Sequence, residues 1–356
     1  MEKNMNAVVT YAPHDYRYEK FPMPECGKDD IIIRVILCGI CAGDLKAWEG
    51  GPRFWGGEGW DPYVEPPCIP GHEFVGEIVA IGEENPYWGK LKIGQRVVPE
   101  QVAPCGSCYF CKKGQYHLCQ PHDVFGFKNY LNGGFAQFAK LPKTALVHAV
   151  PDSIPDELAV LIEPFACSMH AVDRAQIEKG DTVVLAGAGP LGLGMVAAAK
   201  LKNPGKLIVL DMRKDRLEKA KALGADIVLD PSSDDVYKEI AKLTQNVGCD
   251  IYIEATGHPS AVQQGLDLLR KGGRFVEFSV FSKPAVVDWS IIGDGKELDI
   301  IGVSLSPNCF GKVIEGFTSG ELKADGVLTD VYPLADFEEA FKRCSKEGAV
   351  KVALKP

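Results

Sequence analysis

The second half of the chain alternates short apolar runs with helical patterns, and this alternation restricts the possible folds more than any other feature. From about residue 180, six β-branched runs occur, and most are followed by a segment with helical spacing. The runs read TVVLA, KLIVL, DIVL, DIYIE, RFVEF and DIIGV. Strands joined by helical crossovers form a parallel sheet with helices on its faces. The sequence therefore predicts an α/β fold with a doubly wound parallel sheet.

The first part of the chain differs, because its apolar runs are short and are separated by Gly and Pro. Runs such as AVVTY, IIIRVIL and FVGEIVAIG predict an irregular β body. After about residue 305 the alternation weakens, and we expect the chain to return to the first domain. We therefore assign residues 1–160 and 305–356 to a β-rich domain, and residues 161–304 to the parallel-sheet domain.

Residues 48–70 form a segment rich in Gly and Pro that contains three of the five tryptophans of the chain. One interpretation is a surface loop with a few packed aromatic side chains. The other is a lid or a pocket wall, because long structured loops often cover binding sites. The sequence leaves both interpretations open.

Charge and hydropathy exclude several classes of function. The net charge is −9, from 39 basic and 48 acidic residues. This balance argues against bulk binding to nucleic acid or to anionic membranes, and we expect neither as a partner. No apolar run approaches the ~18–20 residues that a membrane span needs, and the first residues lack the apolar core of a signal peptide. We expect a cytoplasmic protein.

Four of the twelve cysteines lie close together, with the spacing C-x2-C-x2-C-x7-C. They are Cys105, Cys108, Cys111 and Cys119. Four thiolates at this spacing can close a tetrahedral zinc site without an open position, which makes the site structural. An iron–sulfur cluster is the alternative that the spacing leaves open. The acidic, two-domain context favours zinc, and the scarcity of basic residues nearby argues against a nucleic-acid-binding finger.

A glycine-rich turn, GAGPLG, follows the TVVLA run and precedes an alanine-rich helical pattern. Its glycines are Gly187, Gly189 and Gly192. Such glycines allow a tight turn and the close approach of a pyrophosphate, which the helix N-terminus binds. Asp211 ends the next strand, where an acid binds a ribose diol and repels a 2′-phosphate, so NAD is favoured over NADP. Two arginines just after Asp211 leave NADP open.

Five motifs together make the chain resemble the zinc-dependent medium-chain alcohol and polyol dehydrogenases over nearly its whole length. The motifs are CGIC at 38–41, GHEFVGEIVAIG at 71–82, the cysteine quartet at 105–119, EPFACSMHAV at 163–172 and GAGPLG at 187–192. Within that family the chain looks most like the erythritol/threitol (tetritol) branch. The resemblance implies a GroES-like catalytic domain in the β-rich part, next to a Rossmann NAD-binding domain.

The resemblance also implies a second, catalytic zinc ion. Cys41 and His72 match two of its ligands. Glu73 follows His72 as in sorbitol-dehydrogenase relatives, where an acid completes the ligand sphere directly or by exchange. Glu163 matches a carboxylate that reaches the zinc in polyol enzymes. Cys167 lies close to the sequence position at which alcohol dehydrogenases of the family carry a third protein ligand. Cys-His-Cys and Cys-His-Glu spheres both remain open, and the EP motif favours the carboxylate.

Other positions follow from the same resemblance. Asp44 matches the acid that orients the ligand histidine. Gly43 departs from the family pattern, because relatives usually carry a hydroxyl residue there that begins a proton relay, and Lys46 stands where some relatives carry a relay histidine. The expected cofactor contacts, beyond the three glycines and Asp211, are Leu191, Arg216, Ser279, Val280 and Ser304.

The implied activity is hydride transfer from a secondary hydroxyl of a polyol, such as a tetritol, to NAD, which gives a ketose. A dehydrogenase of another pentitol, a cyclitol or a modified short diol is the alternative within the same fold. A non-catalytic relative is a more remote one, because neither the zinc motifs nor the glycine turn are broken. Family members are commonly dimers or tetramers, so we expect a homo-oligomer.

Overall fold

The fold is that of a computed structural model, in which residues 3–57, 59–281 and 283–356 are described. The chain divides into two compact units. The first comprises Met1–Glu163, Phe310–Thr318 and Leu328–Pro356, and the second comprises Pro164–Cys309 and Ser319–Val327.

Strands predominate in the first part of the chain, and strands and helices alternate in the second. The strands are β1 (Asn4–Ala12), β2 (Asp15–Pro22), β3 (Ile31–Gly39), β4 (Glu73–Ile81), β5 (Arg96–Pro99), β6 (Phe138–Leu141), β7 (Val147–Ala149), β8 (Thr182–Ala186), β9 (Lys206–Leu210), β10 (Ile227–Leu229), β11 (Cys249–Glu254), β12 (Leu269–Glu277), β13 (Asp299–Gly302), β14 (Leu328–Pro333) and β15 (Lys351–Lys355). The helices are α1 (Ala42–Trp48), α2 (Pro52–Trp55), α3 (Tyr109–Lys112), α4 (Asp156–Ala159), α5 (Ile162–Ala175), α6 (Pro190–Leu201), α7 (Lys214–Ala222), α8 (Val236–Leu243), α9 (Pro259–Leu268), α10 (Phe310–Ser319) and α11 (Phe337–Cys344). Short 3-10 helices cover Tyr116–Leu118, Trp289–Ile291 and Leu334–Asp336.

The first unit is built on a mixed sheet with the strand order β14-β15-β3-β4-β5-β7, and β6 also pairs with β3. Strands β3 and β4 are antiparallel, with Gly39 opposite Glu73. Strand β15 pairs with the other edge of β3, where Ala353 lies opposite Gly39. This register brings the end of β3, the start of β4 and the start of β15 to one place. Buried aliphatic and aromatic side chains from the sheet, such as Ile33 and Phe74, form the core.

The second unit contains a parallel sheet with the strand order β10-β9-β8-β11-β12-β13. All six strands that the sequence predicts are present, and every pairing between them is parallel. The doubly wound α/β class is therefore confirmed. The strand order reverses between β8 and β11, which makes the carboxyl ends of these strands the expected ligand crevice.

The compact units differ from the predicted domain division in three short segments. Residues 305–309 and Ser319–Val327 belong to the second unit, and residues 161–163 belong to the first. One contact of the segment Ser319–Val327 within the second unit is the hydrogen bond from Lys219 Nζ of α7 to the carbonyl oxygen of Gly326, at 2.9 Å.

Within the described ranges, no helix combines the length and the apolar character required to cross a bilayer.

Candidate active site

Three residues that the sequence singles out form one largely buried group in the first unit. The ligand atoms of Cys41, His72 and Glu73 all lie within 4.8 Å of one another. Cys41 is the N-cap of α1 just beyond β3, and the other two residues lie at the start of β4. The antiparallel pairing of Gly39 with Glu73 brings the two segments together. A thiol, an imidazole and a carboxylate are donors that zinc accepts, so the group fits a zinc site.

Asp44 lies behind this group and is 1% exposed. Its Oδ2 accepts a hydrogen bond from the Cys41 backbone N–H at 2.8 Å. Its Oδ1 lies 3.7 Å from His72 Nδ1, and within the described residues neither of these two buried atoms has a hydrogen-bond partner. This leaves His72 Nδ1 facing an acid, the arrangement in which a carboxylate orients a metal-binding histidine through its other ring nitrogen.

Charge and burial act in opposite directions on these side chains. Burial and the negative charge of Glu73 raise the pKa of Cys41. Burial alone would lower the pKa of His72, but the charges of Cys41 and Asp44 outweigh it and hold this pKa well above its usual value. The group is thus rich in negative charge and is favourable for a cation.

Lys351 is a part of this site that the sequence analysis misses. Its Nζ contacts both carboxylate oxygens of Glu73, at 2.7 and 2.6 Å, and the carbonyl oxygen of Ile40 at 3.1 Å. Lys351 is 3% exposed and Glu73 is 1% exposed. Burial opposes the charge on Lys351, but Glu73 and Cys41 raise its pKa above the usual value. The only local signal was a lysine inside the apolar run AVKVAL.

Glu163 lies in the first turn of α5 and is 4% exposed. Its negative charge raises the pKa values of both His72 and Lys351, so it acts on the same buried region. It is not a member of the three-residue group among the described residues. Cys167 follows one helical turn later, is 7% exposed and belongs to the second unit.

Lys46 lies on α1 and is half-buried. Burial lowers its pKa, and the charge of Cys41 opposes that effect. Gly43, in the first turn of the same helix, leaves space beside the Cys41 thiol. A Cβ atom at Gly43 would lie 3.8 Å from Cys41 Sγ and 3.9 Å from Phe54 Cζ.

The cysteine quartet forms a second group, with its four sulfur atoms within 4.8 Å of one another. Backbone N–H groups point at two of these sulfurs: that of Cys108 at Cys105 Sγ at 3.4 Å, and that of Cys105 at Cys119 Sγ at 3.3 Å. Hydrogen bonds from Ser107 and Cys108 lower the pKa of Cys105 to about 6. A site with four thiol donors fits a closed structural zinc site.

The glycine turn of the second unit has the geometry that a dinucleotide needs. Gly187 has a φ of +100°, and a Cβ atom there would lie 2.7 Å from the carbonyl oxygen of Ala255. A Cβ atom at Gly192 would overlap the carbonyl of Gly187. Gly189 is the N-cap of α6, and Leu191 lies in the first turn of that helix. Backbone groups at this helix N-terminus are therefore open to a phosphate.

Asp211 follows β9 and holds the turn in place. Its Oδ2 accepts a hydrogen bond from Ala188 N at 2.7 Å, and its Oδ1 accepts one from Arg213 N at 2.9 Å. Arg216 Nη1 lies 3.9 Å from Asp211 Oδ2, and burial lowers the pKa of this arginine. Asp211 and Arg216, which are both predicted to contact the cofactor, thus lie next to each other.

The remaining predicted cofactor residues lie beyond neighbouring strands. Ser279 and Val280 follow β12 and border Gly257, and Ser304 follows β13. Glu254, which was not predicted from the sequence, ends β11 and is 0% exposed. Its Oε1 accepts hydrogen bonds from Thr256 N at 2.7 Å and Gly257 N at 3.0 Å, which fixes the loop beside Gly187. A glutamate that ends the apolar strand DIYIE was the available signal.

Comparisons with known proteins agree with this arrangement. The alcohol dehydrogenase GroES-like domain family matches residues 27–152, and the zinc-binding dehydrogenase family matches residues 190–319. The chain is 48% identical to the erythritol/L-threitol dehydrogenase of Mycolicibacterium smegmatis, covering 99% of this chain and 98% of that protein. It is 34% identical to the sorbitol dehydrogenase of Bacillus subtilis, with coverage of 99% and 98%.

A solved structure extends the comparison to the fold. A short chain alcohol dehydrogenase from Escherichia coli, complexed with NADH, has a TM-score of 0.88 and 29% identity, with 100% of both chains covered. The GroES-like and Rossmann-type parts that the resemblance implies are therefore confirmed.

Proposed function

Because the chain belongs to the zinc-dependent medium-chain alcohol and polyol dehydrogenases, we propose that it oxidises a secondary hydroxyl of a four-carbon polyol to a ketose with NAD. The observation that carries this proposal is the similarity to the erythritol/L-threitol dehydrogenase along nearly the whole chain. Cys41 and His72, whose ligand atoms lie within 4.8 Å of each other, support it, because a dehydrogenase of this kind needs a metal site.

The residues that would hold the catalytic zinc are Cys41, His72 and Glu163. Glu73 is adjacent, but Lys351 contacts both of its oxygens, so metal binding by Glu73 would have to break a buried ion pair. The charge of Glu163 raises the pKa of His72, which supports a place for this carboxylate beside the metal group. The quartet would hold the structural zinc.

Bound zinc supplies Lewis acidity that lowers the pKa of a substrate hydroxyl, and the bound dinucleotide supplies the hydride acceptor. The chain contributes position and charge. Asp44 accepts a hydrogen bond from the Cys41 backbone and faces His72 Nδ1 at 3.7 Å, from where its charge can orient the ring of His72. Water would accept the proton of the substrate hydroxyl, because Gly43 offers no side-chain hydroxyl.

NAD is the proposed cofactor rather than NADP. Asp211 stands beyond β9, and its carboxylate lies beside the glycine turn through the hydrogen bond from Ala188 N. A carboxylate there binds a ribose diol and repels a 2′-phosphate. Arg216, 3.9 Å from Asp211, has its charge offset by that carboxylate. Cofactor contacts from Leu191, Ser279, Val280 and Ser304, like the dimer or tetramer and the cytoplasmic location, stay predictions.

The proposed function is tested by mixing the zinc-loaded protein with NAD or NADP and with polyols of four, five and six carbons, and following nicotinamide reduction. We expect kcat/KM to be highest for erythritol or threitol with NAD. A preference for sorbitol would shift the assignment to longer polyols, and reaction with simple primary alcohols alone would refute it. Asp211→Ala should raise the KM for NAD and reduce the discrimination against NADP, whereas the exposed Asp61→Ala control should not.

A further inference from the structure

The segment that follows α1 is held firmly against the first unit. Gly51 N donates to the carbonyl oxygen of Lys46 at 2.9 Å, and Trp55 Nε1 donates to that of Ala47 at 2.7 Å. These bonds fix α2 to α1. The chain then turns back on itself, because Val64 N donates to the carbonyl oxygen of Phe54 at 2.8 Å.

Further contacts join the same segment to residues near 127. Glu65 N donates to the carbonyl oxygen of Phe127 at 2.9 Å. Lys128 is 8% exposed and forms an ion pair with Glu65 at 3.0 Å. Its Nζ also lies 4.6 Å from the ring centroid of Tyr63. The described part of the segment is therefore a fixed wall, as the pocket-wall interpretation of residues 48–70 requires.

One ring of this wall reaches the metal group. Phe54 is half-buried and stacks on Phe127, with ring centroids 5.5 Å apart and an interplanar angle of 26°. Phe127 in turn lies 5.7 Å from His72, at 34°. The three rings form a continuous surface that ends at the imidazole of the metal group.

Because Gly43 has no side chain, Phe54 can lie close to Cys41, the other predicted zinc ligand. A Cβ atom at Gly43 would be in ordinary van der Waals contact with both Cys41 Sγ and Phe54 Cζ, at 3.8 and 3.9 Å. A single carbon atom at this position would thus touch both the phenyl ring and the thiol. Gly43, which offers no side-chain hydroxyl, is therefore bordered by the aromatic ring of Phe54.

We propose that Phe54 sets the length of the polyol that reacts, as the apolar wall next to Cys41. This inference rests on the proposed function and adds a specificity-determining residue to it. A phenyl ring offers no hydrogen-bond partner, so a hydroxyl-bearing carbon pressed against it loses hydration without compensation. On this proposal, four-carbon polyols would end before the ring, whereas five- and six-carbon polyols would carry further hydroxyls towards it.

The test compares kcat/KM for erythritol, xylitol and sorbitol in the wild type, Phe54→Ala and Phe54→Leu. We expect Phe54→Ala to raise the sorbitol-to-erythritol ratio of kcat/KM by about tenfold or more, the size of effect that a change of one methylene group has in an apolar pocket. Phe54→Leu, which keeps most of the apolar volume, should give a smaller change in the same direction.

Trp60→Ala is the matched control, because Trp60 is an aromatic residue of the same segment that is 49% exposed and stacks on Arg53. It should leave the ratio unchanged. Zinc content and thermal unfolding show whether the variants fold. An equal loss of kcat/KM for all three polyols in both Phe54 variants would mean a purely structural role and would overturn the inference.

A failure of the proposed function can be distinguished from a failure of the role of Phe54. If the wild type oxidises no polyol, the proposed function is wrong, and the role of Phe54 is then read from the secondary alcohols 2-butanol to 2-heptanol. In that series Phe54→Ala should again shift the preference to longer chains by about tenfold. An unchanged preference would refute the role of Phe54 independently of the polyol assignment.

Discussion

The quartet and the Cys41 group both gather metal-binding side chains, but the chain builds them in opposite ways. All four quartet cysteines lie between positions 105 and 119, and three of them are partly exposed. Hydrogen bonds to sulfur come from neighbouring residues and lower the pKa of Cys105. This site is assembled by local turns.

The Cys41 group is assembled by the sheet. Its members come from the end of β3 and the start of β4, and Lys351 of β15 completes its charge balance. Here burial raises the pKa of Cys41, in contrast to the thiol of Cys105. The difference indicates that a short segment is sufficient for a closed site with a structural role. A site that must leave room for a substrate depends instead on distant residues that hold its ligands.

The largest effect should come from Cys41→Ala. Loss of a ligand removes the Lewis acid, and a loss of about 4 kcal/mol in transition-state stabilisation corresponds to about 10³-fold in kcat/KM. Metal analysis should find about one zinc ion per chain instead of two, with little change in thermal unfolding. Cys249→Ala, which removes a buried thiol in the other unit, should keep both ions and the activity.

Cys105→Ser should show the converse behaviour. Zinc content should again fall to about one ion per chain, but the main result should be a free energy of unfolding lower by several kcal/mol, because structural zinc contributes directly to folding. Chemical denaturation measures this change, and the protein that remains folded should keep most of its activity. Two zinc ions in Cys105→Ser would contradict the assignment of residues 105–119.

Lys351→Met tests the dependence on distant residues. It leaves the Glu73 carboxylate buried without its partner, which costs about 3–5 kcal/mol of stability. Lys28→Met breaks the Lys28–Glu84 pair, whose side chains are 69% and 57% exposed, and should cost no more than about 1 kcal/mol. The double variant Lys351→Met with Glu73→Gln should recover part of the loss. Equal effects of the two lysine variants on the free energy of unfolding, measured by chemical denaturation, would show that the distant Lys351 does not support the Cys41 group.

The smallest effect is expected for Gly43→Ser. The added Cβ atom meets only ordinary contacts, so stability should change by no more than about 0.5 kcal/mol. The new hydroxyl offers a second route for the proton and should shift the pH dependence of kcat. An unchanged rate and pH profile would show that position 43 has no part in proton transfer.

Sequence alone predicted the local features of this chain. The quartet and the glycine turn are each contained in one short segment, and the strands of the second unit follow from periodicity, so long-range packing was not needed to find them. Lys351 and Phe54 could not be found in this way. Lys351 meets Glu73 across 278 positions of sequence, and only the register of β15 on β3 places it there. The place of Phe54 depends on Phe127, and the position of Ser319–Val327 depends on a contact with Lys219.

The contact between Lys351 and Glu73 has a consequence for the order of events during synthesis. A growing chain emerges from its N-terminal side, and units fold as they become available. On the proposed assignment, the quartet could bind zinc as soon as about fifteen residues are free, well before most of the second unit exists. The buried carboxylate of Glu73 has to wait for β15, which is translated after the second unit. On the proposed zinc assignment, the quartet would therefore be complete before the Cys41 group, and a chain interrupted before residue 351 would carry a Glu73 carboxylate without its partner.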